Sequence, residues 1–217
     1  MNASDFTASK CAPALRHIAP RKRLLVLTGF MGAGKTTVGK LLAASIRWPF
    51  VDVDALIESK TGQSIAALFE QHGEAWFREL EHDTIRHLAM GKPGAKTTLN
   101  SQNDSEESPV TQSCVLALGG GAIEDARTRR LLLETPDISL IHLEVSLSEA
   151  IRRCKTEAQA VRPVLANQER LAQRYATRLA LYRQAPVTFV VDDLAPEQIV
   201  QNIVEALSLV SLNRSKT

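Results

Sequence analysis

Aliphatic and β-branched residues gather in short runs at positions 24–28, 49–52, 115–118, 139–143 and 187–191, without the polar alternation of a half-exposed strand. Such runs predict strands covered on both faces. Between and after them, apolar positions recur at three- and four-residue spacing: from Lys35, across 64–90 as one helix or two, from Ser146, over 167–183, and from Pro196. The last pattern has Pro196 at a helix start and Glu197 in the first turn, with Ile199, Val200, Ile203, Val204 and Leu207 on one face. Strands alternating with helices imply parallel pairing through right-handed crossovers, and so a three-layer α/β domain.

One stretch interrupts this order. Residues 91–113 hold Gly, Pro, Ser, Thr, Asn and Gln with almost no large apolar side chain, which predicts a disordered surface insertion. Its place before the third strand, away from the strands' carboxyl ends, predicts little effect on chemistry. At the N-terminus, Arg16, Arg21, Lys22 and Arg23 face one acid, Asp5, so a transit peptide has to be considered. The expectation is a flexible leader over 1–23, one folded domain over 24–210 and a flexible tail over 211–217.

A length of 217 residues, 44% hydrophobic and 23% charged, suits one globular domain with extensions. The 26 basic and 24 acidic residues leave a net charge of +2, too little for the broad basic face of nonspecific nucleic-acid binding. No run approaches the roughly 20 apolar residues that span a bilayer. Cys11, Cys114 and Cys154 are widely spaced and form no CxxC pair, which suggests neither a disulfide framework nor a zinc site. A cytoplasmic protein that acts on a small molecule, without nucleic-acid or membrane partners, is the expectation.

The chemistry begins directly after the first run. Gly29-Phe30-Met31-Gly32-Ala33-Gly34-Lys35-Thr36 fits GxxxxGK[ST] between a strand and a helix, the context in which that spacing cradles phosphates. Backbone N–H groups curl around the β-phosphate, the helix N-terminus adds its positive dipole end, Lys35 reaches the β- and γ-phosphates, and Thr36 ligates Mg²⁺. Gly32, Ala33, Gly34, Lys35, Thr36 and Thr37 are the expected nucleotide-binding set, with ATP and Mg²⁺ as ligands. No NKxD segment reads guanine and no DxxG follows a strand, which disfavours a switch GTPase.

Asp52-Val53-Asp54 ends the second run, where parallel sheets open onto the ligand crevice, and strand alternation would send both carboxylates the same way. One near Mg²⁺ and one accepting a hydrogen bond from a hydroxyl acceptor would serve phosphoryl transfer; both could instead merely cap the following helix. Arg78, Arg153, Arg162 and Arg178 supply the forks that match carboxylates and phosphates. Val161-Arg162-Pro163 lies between two helical patterns, where a lid could carry a charge over the γ-phosphate. Gly119-Gly120-Gly121 follows the third run and lets backbone approach a ligand, with Gly120 offering an N–H donor; a plain turn is the alternative.

In this order the pieces resemble the shikimate kinase family. The matching stretches are Gly29 to Gly39, Phe50-Val51-Asp52-Val53-Asp54, Phe77-Arg78-Glu79-Leu80-Glu81, Leu118-Gly119-Gly120-Gly121, Val161-Arg162-Pro163 with Leu165, and Arg178 four residues before Tyr182. The resemblance implies a P-loop NTPase fold, adenylate-kinase-like, with a five-stranded parallel sheet in order 2-3-1-4-5 and a lid. It implies transfer of the ATP γ-phosphoryl group to the 3-hydroxyl of shikimate, in chorismate and aromatic amino-acid biosynthesis, by a monomer. It further implies that Asp54 contacts the acceptor hydroxyls and orients or deprotonates the attacking one. By the same carry-over, Arg78 and Arg178 grip the acceptor carboxylate, with Gly120 donating a backbone hydrogen bond. Asp52 sits near Mg²⁺, Arg162 is the lid arginine and Arg153 stacks on adenine. Lys35, Asp54 and Arg162 are then the catalytic set. The segment between Arg153 and Arg162 runs about two residues longer than the family's, which shifts Arg153 by up to a helical turn. A kinase for another small hydroxy acid such as gluconate, and a sensor that binds without turnover, are the competing readings.

Overall fold

The computed structural model describes residues 24–90, 113–157 and 168–214. The leader expected at 1–23, the insertion expected at 91–113 apart from Ser113, Arg162, expected on a lid, and residues 215–217 lie outside the described residues.

The elements run β1 (Leu24–Thr28), α1 (Lys35–Ile46), β2 (Phe50–Asp52), α2 (Val53–Thr61), α3 (Ile65–Met90), β3 (Cys114–Ala117), a 3-10 turn (Ala122–Glu124), α4 (Ala126–Glu134), β4 (Ile138–Glu144), α5 (Leu147–Glu157), α6 (Gln168–Tyr182), β5 (Val187–Val190) and α7 (Pro196–Arg214). All five strands pair in parallel, in the order β2-β3-β1-β4-β5. Helices lie on both sides of this sheet, the arrangement that lets parallel strands bury both faces. That is why β1 can read Leu-Leu-Val-Leu-Thr with every residue buried. The edge strand β2, by contrast, is half-buried throughout.

α1 packs on α7, and α3 packs on α4. The expected helix over 64–90 is two stretches meeting at Gly73, whose φ of 81° and ψ of 169° are not helical. α7 continues to Arg214, past the expected domain end at 210. Three helical stretches were not marked by periodicity: α2, α4, whose mean composition is strongly polar, and the brief 3-10 turn before α4. Asp125 starts α4 by accepting hydrogen bonds from the Arg127 and Thr128 N–H groups, and the Arg127 side chain first, with these backbone donors, holds its pKa down at about 2. Among the described residues no helix is long and apolar enough to cross a membrane.

Candidate functional site

The phosphate cradle is built at the end of β1, and two glycines there do work that no other residue could. Gly32 has φ 72°, and a Cβ on it would lie 2.9 Å from the Ala150 carbonyl oxygen. Gly34 has φ 81° and precedes α1 without any side-chain cap, so the helix begins with N–H groups turned toward the loop. An uncapped helix start beneath a glycine loop is a site for anionic oxygen. The Lys35 ammonium lies on the same loop, donating to the carbonyls of Gly29 at 2.9 Å and Phe30 at 3.0 Å.

Strand alternation does not position the two aspartates. Helix α2 starts at Val53, one residue before Asp54, because Asp52 caps it: the Asp52 Oδ1 accepts from the Ala55 N–H at 3.3 Å. Asp52 is therefore the cap and Asp54 stands in the first helical turn. Capping and chemistry are not exclusive here, since the other Asp52 oxygen, Oδ2, accepts from the Thr36 hydroxyl at 2.7 Å. A hydroxyl and a carboxylate joined this way beside a phosphate cradle are hard oxygen donors suited to Mg²⁺. Among the described residues no group of three or more His, Cys, Asp or Glu gathers to hold a metal, so triphosphate oxygens and water would complete such a shell.

Asp54 stands within a cluster of charge beside the cradle. Its carboxyl is held above the usual aspartate pKa, first by burial and then by Asp52, against the pull of Lys35 and Arg78. A Cβ placed on Gly119 would sit 2.6 Å from Asp54 Oδ1 and 2.8 Å from Glu81 Oε1, which puts both acids against the glycine triplet. Arg78 Nη1 donates to Glu81 at 2.6 Å and Nη2 donates to Glu74 at 3.2 Å. A methyl on Gly121 would collide with the Arg78 guanidinium. From α6, the buried Arg178 Nη2 donates to Glu124 at 2.7 Å, and Tyr182 one turn later donates its hydroxyl to the Gly120 carbonyl.

The structure thus brings Asp54, Arg78, Gly120 and Arg178 to one rim, with Lys35, Thr36 and Asp52 adjoining it. Arg162 lies outside the described residues. Arg153 lines the other side of the cradle, in a cleft of about 690 Å³ formed with Gly34, Thr37, Asp193, Leu194 and Pro196. All three of its guanidinium nitrogens are engaged: Nε with Glu149 at 2.7 Å, Nη1 with the Gly32 carbonyl at 3.3 Å, and Nη2 with the Val191 and Asp192 carbonyls at 2.6 and 2.7 Å.

Several participants were missed in the sequence. Glu81 is 1% exposed and burial lifts its pKa to about 7 despite Arg78; its three-residue spacing from Arg78 on a helix was a usable signal. Glu124 carried none, since its partner lies 54 residues away. The 192–196 wall of the cleft was likewise unmarked. His82 is partly buried with Nδ1 2.9 Å from the Thr128 hydroxyl. Cys114 and Cys154 are both buried, and neither forms a disulfide among the described residues.

Comparison with known proteins agrees with this geometry. A family model described as shikimate kinase matches residues 31–95 and 105–208. The shikimate kinase of Rhodopseudomonas palustris is 38% identical over 85% of this chain and 81% of its own, and that of Sulfurihydrogenibium sp. is 35% identical over 82% and 94%. Among solved structures, a shikimate kinase from Bacteroides thetaiotaomicron superposes with a TM-score of 0.69 at 30% identity, covering 85% of this chain and 98% of that one. A shikimate kinase from Acinetobacter baumannii in complex with shikimate also gives 0.69, at 28% identity over 88% and 94%. The chain belongs to the shikimate kinase family and is an ATP-dependent kinase.

Proposed function

We propose that the protein transfers the γ-phosphoryl group of Mg²⁺-ATP to the 3-hydroxyl of shikimate, releasing shikimate 3-phosphate and ADP, for chorismate and aromatic amino-acid synthesis. The observation that carries this reading is the convergence of Asp54, Arg78 and Arg178 on one glycine triplet beside the phosphate cradle. A small acceptor with hydroxyls at one end and a carboxylate at the other is complementary to a carboxylate facing two guanidinium groups.

In this reading the uncapped start of α1 and Lys35 hold the β- and γ-phosphates, while Gly32, Ala33, Gly34 and Thr37 shape the nucleotide site. Thr36 would ligate Mg²⁺ directly and Asp52 would act on it through water. Magnesium, when bound, neutralises charge on the phosphates being parted. Asp54 accepts the hydrogen of the attacking hydroxyl, a task favoured by a carboxylate whose proton affinity is raised by burial. Arg78 and Arg178 hold the acceptor carboxylate and Gly120 offers its N–H. Arg162 supplies positive charge as the γ-phosphoryl group transfers, and Arg153 serves the nucleotide side. The protein acts as a cytoplasmic monomer.

The test is ADP release by the purified protein with ATP and Mg²⁺, in the presence of shikimate, gluconate or quinate. Stimulation by shikimate above the other two is expected. ATP binding without stimulation by any of the three would turn the reading toward a sensor, and stimulation by gluconate toward a different acceptor.

A further inference from the structure

The two arginines assigned to the acceptor carboxylate already share a carboxylate. Glu124, the last residue of the 3-10 turn, places Oε2 at 2.7 Å from Arg178 Nη2 and 3.9 Å from Arg78 Nη2. Arg178 is 9% exposed, and Glu124 is its ion-pair partner among the described residues. A guanidinium this deep needs a counter-charge when no ligand is present. Its Nε is buried without a hydrogen-bond partner among the described residues, which leave the fork only partly satisfied.

The acids around this pair differ in their freedom to leave. The Glu81 side chain is 2% exposed beneath Arg78, whereas that of Glu124 is 32% exposed at the end of a three-residue turn. Glu81 is fixed and Glu124 can swing toward solvent. We propose that Glu124 is a resident competitor for the acceptor's carboxylate, neutralising Arg178 in the ligand-free protein and giving way when the acceptor's carboxylate takes its place. Binding is then an exchange of one carboxylate for another, and the strength of the Glu124 pair is subtracted from acceptor affinity. Glu124 thereby tunes how strongly the site prefers an acid over an uncharged analogue. This rests on the acceptor reading given under Proposed function.

The experiment measures KM for shikimate and for shikimate methyl ester at saturating Mg²⁺-ATP in wild type, Glu124→Gln and Glu124→Asp, with melting curves for each. Glu124→Gln is expected to lower KM for shikimate about fivefold, the effect of losing a part-exposed ion pair. The ester, which brings no anion to displace Glu124, gains much less, so the preference for acid over ester rises. Ligand-free Tm falls in the variant and its upward shift with shikimate grows. A KM for shikimate that is unchanged or raised in Glu124→Gln, with wild type turning shikimate over, overturns the inference and leaves the acceptor reading standing. No turnover of shikimate by wild type overturns both. Should Glu124→Gln fail to fold, Glu124→Asp decides: its shorter side chain retreats from Arg178, and a KM at or above wild type refutes the exchange.

Discussion

Arg78 and Glu81 form a 2.6 Å ion pair on successive turns of α3, with the glutamate 1% exposed and one of its oxygens, Oε1, unpartnered among the described residues. The pair fixes a guanidinium that is itself only half-satisfied by Glu74 and Glu124, and it does so at a cost in stability. Burial raises Glu81 from 4.5 to about 7, outweighing Arg78. A carboxyl with a raised folded pKa binds its proton more tightly in the folded protein. Its contribution to stability is therefore present below pH 4.5 and lost as pH rises through about 7.

Glu81→Gln should remove that pH dependence. Urea unfolding at pH 5 and pH 8 should show wild type losing stability relative to the variant at the higher pH, while the variant binds shikimate more weakly because Arg78 has lost its anchor. A stability difference that stays constant across those two pH values would mean Glu81 does not titrate in this window.

Gly119 separates the two acids of the rim by having no side chain. A methyl there would meet Asp54 Oδ1 at 2.6 Å and Glu81 Oε1 at 2.8 Å, and both carboxylates would have to move. Displacing by about an ångström the group proposed to orient the attacking hydroxyl costs on the order of 100-fold in rate. Gly119→Ala should thus depress kcat with a smaller change in the KM for ATP, by steady-state kinetics. Wild-type kcat in a folded variant would remove Asp54 from the reaction.

Much of this site was legible because its parts are local. The cradle is one contiguous string, and the strand ends are marked by aliphatic runs whose burial on both faces follows from parallel pairing. Arg78 and Glu81 share a helix face. What was not legible is long-range: Arg178 meeting Glu124, Arg153 reaching the Val191 carbonyl, and Tyr182 closing on Gly120 depend on how separate helices dock. The misplaced Asp54 has a local cause. The residues Val51-Asp52-Val53-Asp54 alternate as a strand would, but the capping hydrogen bond from the Ala55 N–H to Asp52 ends the strand first.

Asp52 serves the helix through one oxygen and Thr36 through the other. Asparagine caps helices about as well as aspartate, so Asp52→Asn should leave Tm nearly unchanged. It removes the negative charge from the proposed Mg²⁺ site, and the Mg²⁺ concentration for half-maximal turnover should rise about tenfold. Titrating Mg²⁺ at fixed ATP checks this. An unaltered Mg²⁺ requirement would confine Asp52 to capping.

Arg153 separates two roles that the same residue could play on the nucleotide side. Three of its hydrogen bonds tie α5 to the Gly32 carbonyl of the cradle and to the Val191 and Asp192 carbonyls after β5, the two walls of the cleft, while a fourth, to Glu149, stays within α5. A clasp of this kind sets the width of the cleft, and truncating it leaves half-buried carbonyls short of a donor, at about 1–3 kcal/mol. Arg153→Ala should therefore raise the KM for ATP and lower ligand-free Tm together. Arg153→Lys should recover only part of either, because an ammonium cannot span three carbonyls with a planar fork. A rise in the KM for ATP with no loss of Tm in Arg153→Ala would instead assign the guanidinium to direct contact with the base, where its removal weakens a ligand interaction and leaves the walls of the cleft in place.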